Sequence, residues 1–392
     1  MYALALDILF ISSRGSQYRY YKALAKGTSF IARVVTLFPC FGFKVFDSGL
    51  SRTIISNGIA FHLERKRRKY KQNNVNIVVF KLYEWFSVLY FSLVYLKFRF
   101  YFERFQPSVV CIWNGHRLPE MAIKAAIDGF NIEIAYFENG LLPDTTTLDF
   151  SGVNALSSLP KEPEFYLDYY HKLNDSERVS INKRLVARKP HKKRASLVFQ
   201  EFDLSQEYLF VPFQVNFDSQ VVINSPRVNS MNDLYLFVEQ AVKELGNRSP
   251  FFLIKEHPSD VRSYPELHYR NPKIIFVDDD TEDLIVNALA VITLNSSVGI
   301  EAVLLEKKVI VLGDACYSID SVVNATKDLN EFLECVQNID TLNINTQVRA
   351  SFLTYLYKEY LLPGNWQNMQ DTVTVDHLSR FEIKMSRFIK NG

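Results

Sequence analysis

Two short polar loops carry the residue types best suited to holding a phosphate. Lys255-Glu256-His257-Pro258 follows the apolar run 251–254, and Asn295-Ser296-Ser297 follows the run 290–294. Each is polar punctuation at the end of a β-rich stretch, and Ser297 opens the helix-like segment VGIEAVLLEKK. In a parallel α/β sheet, loops at strand C-termini line the ligand crevice. Hydroxyls and backbone N–H groups at a helix N-terminus form an anion site. A His-Pro loop and a Ser-Ser loop on one crevice therefore suit a phosphate, with His257 as a second donor.

Three further loops hold candidate groups. Residues 213–220, FQVNFDSQ, follow the strand-like run YLFVP, and Asp218 is the carboxylate placed nearest a ligand. The same aspartate also fits an Asx turn or a helix cap. Gln214 and Gln220 either orient Asp218, bind substrate hydroxyls or brace the loop. In the first half, Asn114-Gly115-His116-Arg117 follows SVVCIW, and Glu138-Asn139-Gly140 follows IEIAYF. Asn-Gly pairs permit tight turns with positive φ, so turn chemistry alone accounts for both loops. Loops after successive strands of one sheet also share an edge, where Glu138 is available for acid–base work.

The surrounding chain must build the sheets that aim these loops. Its 392 residues suit two domains, and 48% hydrophobic with 22% charged content is globular. A net charge of +2 gives no global case for a nucleic-acid partner. The charged run 64–71 reads as a solvated helix face or loop, with an anionic membrane or nucleic acid as the alternative. Cys40, Cys111, Cys316 and Cys335 show neither zinc spacing nor a disulfide framework, which fits a reducing cytoplasm. The start lacks a signal-peptide pattern and reads as a buried strand. The uncharged stretch 85–96 is too short for a bilayer span, which needs about 20 residues. It reads as part of a long buried helix, an interfacial helix being the alternative.

In residues 1–195 the pattern predicts strands at 4–11, 43–46, 77–80, 108–113 and 132–137, with helices at 18–26, 82–105 and 119–128. Residues 166–194 turn polar and basic, as a connector does. The second half repeats the rhythm, with strands at 208–212, 251–256, 274–277, 290–294 and 309–312 and helices at 232–245, 282–288 and 297–306. Asp278-Asp279-Asp280 reads as the cap of the next helix rather than a metal pair. Neither GxGxxG nor GxxxxGK[ST] occurs. The expectation is an α/β chain of two Rossmann-like domains, 1–195 and 196–345, with a helical tail, 346–392, packing back on them.

The motifs FENGLLP, FVPFQVNFDSQ, KEHP and TLNSSVGIEAVL, in that order, resemble those of the bacterial capsule polysaccharide and lipopolysaccharide β-Kdo glycosyltransferases, Kdo being 3-deoxy-D-manno-octulosonic acid. The resemblance runs from about Trp113 to Leu312 and implies a GT-B-like fold with a cleft between its domains. It implies a retaining transfer of Kdo from CMP-β-Kdo to a glycan or glycolipid acceptor, without cofactor or metal. Asp218 matches the nucleophile and Glu138 the acid/base group. His257, Ser296 and Ser297 match the phosphate-binding groups, with Lys255 and Asn295 in support and Glu301 on the ribose. Asn139, Gln214, Ser219, Gln220, His116 and Arg117 fall to the sugar substrates. A cytoplasmic enzyme, peripheral at the inner membrane or in a polysaccharide assembly complex, is implied. An inverting CMP-sialic acid-type transferase, a CDP-polyol phosphotransferase and a non-catalytic polysaccharide-binding module are the competing readings.

Overall fold

The computed structural model describes residues 6–37, 49–72, 76–176, 178, 185, 199–260, 262–342 and 344–389. The expected strand 43–46 and most of the basic connector lie outside them. In chain order the first elements are β1 (Ile8–Ser12), α1 (Gly15–Gly27), β2 (Ala32–Thr36), α2 (Arg52–Gln72), α3 (Ile77–Phe105), β3 (Val109–Trp113), α4 (Leu118–Ile127), β4 (Glu133–Asn139), β5 (Thr145–Asp149) and α5 (Pro163–His171). Then come β6 (Tyr208–Pro212), α6 (Ser219–Ile223), α7 (Met231–Leu245), β7 (Phe251–Lys255), β8 (Ile274–Phe276), α8 (Thr281–Asn287), β9 (Ala290–Thr293), α9 (Ser297–Leu304), β10 (Lys308–Val311), β11 (Asn324–Ala325), α10 (Leu329–Gln337), α11 (Thr346–Tyr355), β12 (Leu361–Pro363) and α12 (Val375–Met385).

Two compact units result: Met1–Ser158 with Glu359–Gly392, and Leu159–Lys358. The sequence pattern predicts boundaries at 195/196 and 345/346, whereas the compact units divide at 158/159 and 358/359. The reason is packing by aromatic side chains. Tyr166 of α5 meets Phe352 and Tyr355 of α11, with ring centroids 5.2 and 5.5 Å away. That contact draws both the start of the connector and the start of the tail into the second unit.

The second unit holds an all-parallel sheet in the order β11-β10-β9-β6-β7-β8. Numbered from β6, this is the Rossmann order 3-2-1-4-5-6, whose ligand crevice opens where the order reverses, here between β6 and β9. Helices cover both faces, so β6 and β9 are buried at every position. α7 shows why a helix forms there. Ser230 caps it by accepting from the Asp233 N–H, and Leu234, Tyr235, Val238, Ala241, Val242 and Leu245 recur on one buried face.

The first unit holds the sheet β12-β5-β4-β3-β1-β2, parallel from β2 to β4 and antiparallel at β5 and β12. α3 and α4 cover one face and α1 with α12 the other. Both α/β units are thus Rossmann-like, the pair that a GT-B-like chain contains. The predicted strand 77–80 is instead the first turn of α3. Asn76 caps it by accepting from the Val78 N–H at 2.8 Å, so a β-branched run continues as helix. The expectation that 85–96 lies in a buried helix also needs correction. Phe91, Val94, Tyr95, Phe98 and Phe102 enter the core, whereas Ile77 to Leu89 is largely exposed.

Candidate active site

In the second unit the three chemistry-bearing loops leave adjacent strands. β6 lies between β7 and β9, so the Asp218 loop is flanked by the His257 loop on one side and the Asn295-Ser296-Ser297 loop on the other. The sheet order brings these sequence-predicted residues to one edge.

Asp218 is the N-cap of α6. Its Oδ1 accepts from the Gln220 N–H at 3.0 Å and from the Ser219 hydroxyl at 3.3 Å. Asn295 is a brace with its hydrogen-bonding capacity used inside the protein. Its Oδ1 accepts from Gln214 Nε2 at 3.0 Å, and its Nδ2 donates to the Gln220 and Asn224 carbonyls, each at 2.9 Å. Gln214 closes the tie by accepting from the Asn295 N–H at 3.3 Å, and both side chains are buried. Gln220 accepts from Asn224 Nδ2 at 2.9 Å.

His257 sits in a tight turn in which its Nδ1 accepts from the Ser259 N–H at 3.1 Å. That bond fixes the neutral ring as the tautomer with its proton on Nε2, a donor suited to a phosphate oxygen. Lys255, the last residue of β7, donates to the Asp279 carbonyl and ties the neighbouring loop. Asp280 caps α8 by accepting from the Glu282 N–H at 2.8 Å, as the acidic run predicts. Ser296 caps α9, accepting from the Val298 N–H at 3.2 Å, while Ser297 is exposed beside it. Glu301 lies one turn further on and is half-buried.

Several supporting residues carry no motif. Asn216 accepts from the Met231 N–H at 3.0 Å and donates its own N–H to Asp260 at 3.3 Å, linking the loops after β6 and β7. The Tyr317 hydroxyl donates to the Ser296 carbonyl at 2.5 Å. A Cβ on Gly299 would come within 2.2 Å of that hydroxyl, so glycine there lets the tyrosine reach the loop.

In the first unit Glu138 is the penultimate residue of β4. Its Oε2 accepts from Asn114 Nδ2 at 2.7 Å and its Oε1 from the Asn139 N–H at 2.9 Å. Asn114 and Gly115 adopt φ of 62° and 88°, the tight turn their pairing predicts. His116 is buried, and its N–H donates to Asn114 Oδ1 at 3.3 Å. Arg117 is the N-cap residue of α4. The Asn139 side chain accepts from the Trp366 indole at 2.8 Å, and Trp366 packs on Trp113 with centroids 4.4 Å apart. The C-terminal segment therefore holds the FENG loop.

Sequence reasoning missed Arg14 and Glu120 at this edge. Arg14 follows β1, which pairs with β3; burial lowers its pKa, as does Arg117, while Glu120 and Glu138 oppose the shift. Glu120 is buried beside Ser13, and burial raises its pKa although that hydroxyl and both arginines oppose the shift. Its Oε2 has no hydrogen-bond partner among the described residues. The polar run Ser12-Ser13-Arg14-Gly15 after an apolar strand was the available signal. Among the described residues, no three His, Cys, Asp or Glu side chains gather as a metal site.

A family profile described as "Capsule polysaccharide biosynthesis protein" matches residues 169–361. Protein FixF of Sinorhizobium fredii is 32% identical over 311 residues, 79% of this chain and 74% of its own. The capsule polysaccharide export protein KpsS of Escherichia coli is 28% identical over 47% of this chain and 61% of its own. Among solved structures, Thermosulfurimonas dismutans KpsC, beta Kdo 2,7 transferase, aligns over 96% of this chain and 99% of its own. Its sequence identity is 13% and its TM-score 0.48, too distant to carry an inference about the reaction.

Proposed function

Because this chain belongs to the capsule polysaccharide biosynthesis family, we propose that it is a retaining glycosyltransferase moving Kdo from CMP-β-Kdo to a sugar hydroxyl of a bacterial surface polysaccharide. The observation that carries this reading is the arrangement of His257, Asp218 and Ser296-Ser297 on loops of three adjacent strands at the crevice of a Rossmann-like sheet.

The donor half-reaction uses that edge. The bond between the Kdo anomeric carbon and the CMP phosphate oxygen breaks, and the electron pair leaves with CMP. The His257 Nε2–H, the Ser297 hydroxyl and the N-terminus of α9 stabilise the charge that develops on the phosphate. Asp218 attacks the oxocarbenium-like centre and forms the covalent Kdo ester. Both described cap bonds to Asp218 use Oδ1, so Oδ2 is the attacking atom. Asn295 and Gln214 hold this loop rather than the sugar, and Lys255 steadies its neighbour. Glu301 receives the ribose hydroxyls.

In the second half-reaction the acceptor hydroxyl attacks the anomeric carbon, its proton passes to Glu138, and the Asp218 carboxylate leaves. Asn114 orients Glu138 for this step. His116, Arg117 and Asn139 belong to the sugar-binding side with it, and Ser219 and Gln220 to the Asp218 side. No cofactor or metal is required, since CMP is already a good leaving group. A glycolipid acceptor sets the enzyme at the cytoplasmic face of the inner membrane.

Intact-protein mass spectrometry with freshly generated CMP-Kdo and no acceptor tests the reading. A gain of one Kdo residue, absent in Asp218→Ala, is the expected result. CMP release without any adduct in the wild type or in Glu138→Gln points to an inverting enzyme. Neither adduct nor CMP release, with or without glycan acceptors, removes Kdo as the donor sugar.

A further inference from the structure

α3 is divided by environment. Its C-terminal half packs into the sheet, whereas Val78, Leu82, Trp85, Phe86 and Leu89 are exposed, Leu82, Trp85 and Phe86 by 56, 60 and 58%. At about 100° per residue, these five positions cover one side of the helix. Their centre lies opposite the side at Phe80, Tyr83 and Glu84, which meets α2. Lys66 lies 5.1 Å from the Tyr83 ring centroid, Arg67 lies 5.4 Å from that of Phe80, and Arg67 is 3.7 Å from Glu84. Soluble proteins seldom expose a contiguous apolar strip of this kind without a partner for it.

Among the described residues α3 is the one helix long and apolar enough to cross a bilayer. Crossing is excluded by its own packing, because Phe91, Val94, Tyr95, Phe98 and Phe102 belong to the core of the first sheet. The exposed part, residues 77–89, spans about 20 Å at 1.5 Å per residue, short of a bilayer's hydrocarbon core of about 30 Å. It has the length and composition of a segment lying in an interface, where Trp is favoured.

Charge selects the occupant. Residues 64–69 of α2 read Glu-Arg-Lys-Arg-Arg-Lys, five cations and one carboxylate, and Lys81 stands exposed on α3. One helix diameter, about 10 Å, separates α2 from the apolar strip, comparable with the Debye length of about 8 Å in physiological salt. Crowding among these cations adds to burial in lowering the Lys66 pKa, after the larger effect of burial itself. A second copy docked on the strip brings two such runs together, whereas an anionic bilayer neutralises them.

We propose that the α2–α3 hairpin is a membrane-docking element that lays the exposed side of α3 into the interface of an anionic phospholipid bilayer, with the basic run of α2 supplying the electrostatic attraction. This deepens the reading of a glycolipid acceptor by naming the surface that reaches it. It differs from that reading in its test, because docking is read without donor or acceptor.

The full chain is floated with vesicles of phosphatidylcholine alone or with roughly 30% phosphatidylglycerol, whose anionic surface attracts polybasic segments. Binding to the anionic vesicles only, lost at high salt, is expected, with a blue shift in Trp85 fluorescence. Leu82→Asp/Trp85→Glu is expected to lower the bound fraction at least tenfold, with an unchanged circular dichroism spectrum. Lys66→Gln and Lys69→Gln are each expected to lower partitioning about fivefold. Equal binding of the double variant, or equal binding to neutral vesicles, overturns the proposal. So does a concentration-dependent dimer that Leu82→Asp dissolves while vesicles bind nothing. Transfer to a water-soluble glycan should survive Leu82→Asp/Trp85→Glu; loss of docking with retained transfer separates the two readings.

Discussion

The crevice edges of the two sheets solve the same positioning problem by different means. At the second sheet, Gln214, Gln220, Asn224 and Asn295 all lie between residues 214 and 295 and close a hydrogen-bond network among themselves. At the first sheet, Glu138 is held by Asn114, and its neighbour Asn139 is held by Trp366, 227 residues away in sequence. One edge is braced from within its own Rossmann unit and the other by the end of the chain. The self-braced edge suits a nucleotide, whose phosphate needs fixed donors. The edge propped by the tail carries a cluster of charge, Arg14, Arg117, Glu120 and Glu138.

The largest expected effect tests the division of labour itself. Asp218→Ala should lower transfer by about a thousandfold or more, as loss of a covalent nucleophile does. Glu138→Gln should lower it by roughly 10²- to 10⁴-fold, the range for a lost acid–base group. The two should nevertheless differ in kind: the Glu138 variant accumulates the Kdo adduct and the Asp218 variant never forms one. Equal adduct levels in both would collapse the distinction between the edges.

Smaller effects probe the braces. Asn295→Ala leaves Gln214 and two carbonyls without their partner, at a cost of about 1–3 kcal/mol in urea unfolding of the second unit. Trp366→Ala should instead leave the second unit's stability unchanged and lower acceptor kcat/KM about tenfold, with adduct formation retained. If Trp366→Ala slows adduct formation as much as transfer, the edges do not act separately.

The smallest effect is a pH dependence of tail docking. The His377 Nδ1–H donates to the Pro363 carbonyl at 2.8 Å, and in the neutral ring Nε2 accepts from the Tyr20 hydroxyl at 2.7 Å. Burial lowers its pKa from the ordinary value of 6.5, Arg380 adds to this, and the Pro363 bond opposes it. As pH falls below about 6.5 the unfolded chain takes up a proton that the folded chain resists, so stability decreases toward acid. Denaturant unfolding of the first unit between pH 7 and pH 5 should show this slope, and His377→Gln should flatten it. Parallel curves for the two proteins would remove His377 as the cause.

Much of the second sheet was legible because β6 to β10 are short, mostly apolar and followed by polar punctuation, and periodicity reports such segments directly; β11, the dipeptide Asn324-Ala325, carries no such signal. The acidic cap at Asp280 and the turn at Asn114-Gly115 were legible for a similar reason, since both depend on bonds between near neighbours. Other features were hidden by competing signals. The β-branched run Ile77-Val78-Val79 reads as a strand until the cap at Asn76 and the continuous helix behind it decide otherwise. β5, Thr-Thr-Thr-Leu-Asp, is buried at every position although its composition is polar, because its neighbours β4 and β12 satisfy its backbone.

What the sequence by itself determined is therefore local: which runs become strands, which loops end them, and that Asp218, His257 and Ser296-Ser297 stand at strand ends. Only the tertiary structure decided that β7, β6 and β9 are neighbours and so bring these three loops to one edge. It also decided that the tail divides between the two units and that Trp366 holds Asn139. Near-neighbour bonds and side-chain periodicity are written into consecutive residues. Strand order and long-range docking depend instead on which distant surfaces bury each other best, and no short window of sequence contains both partners.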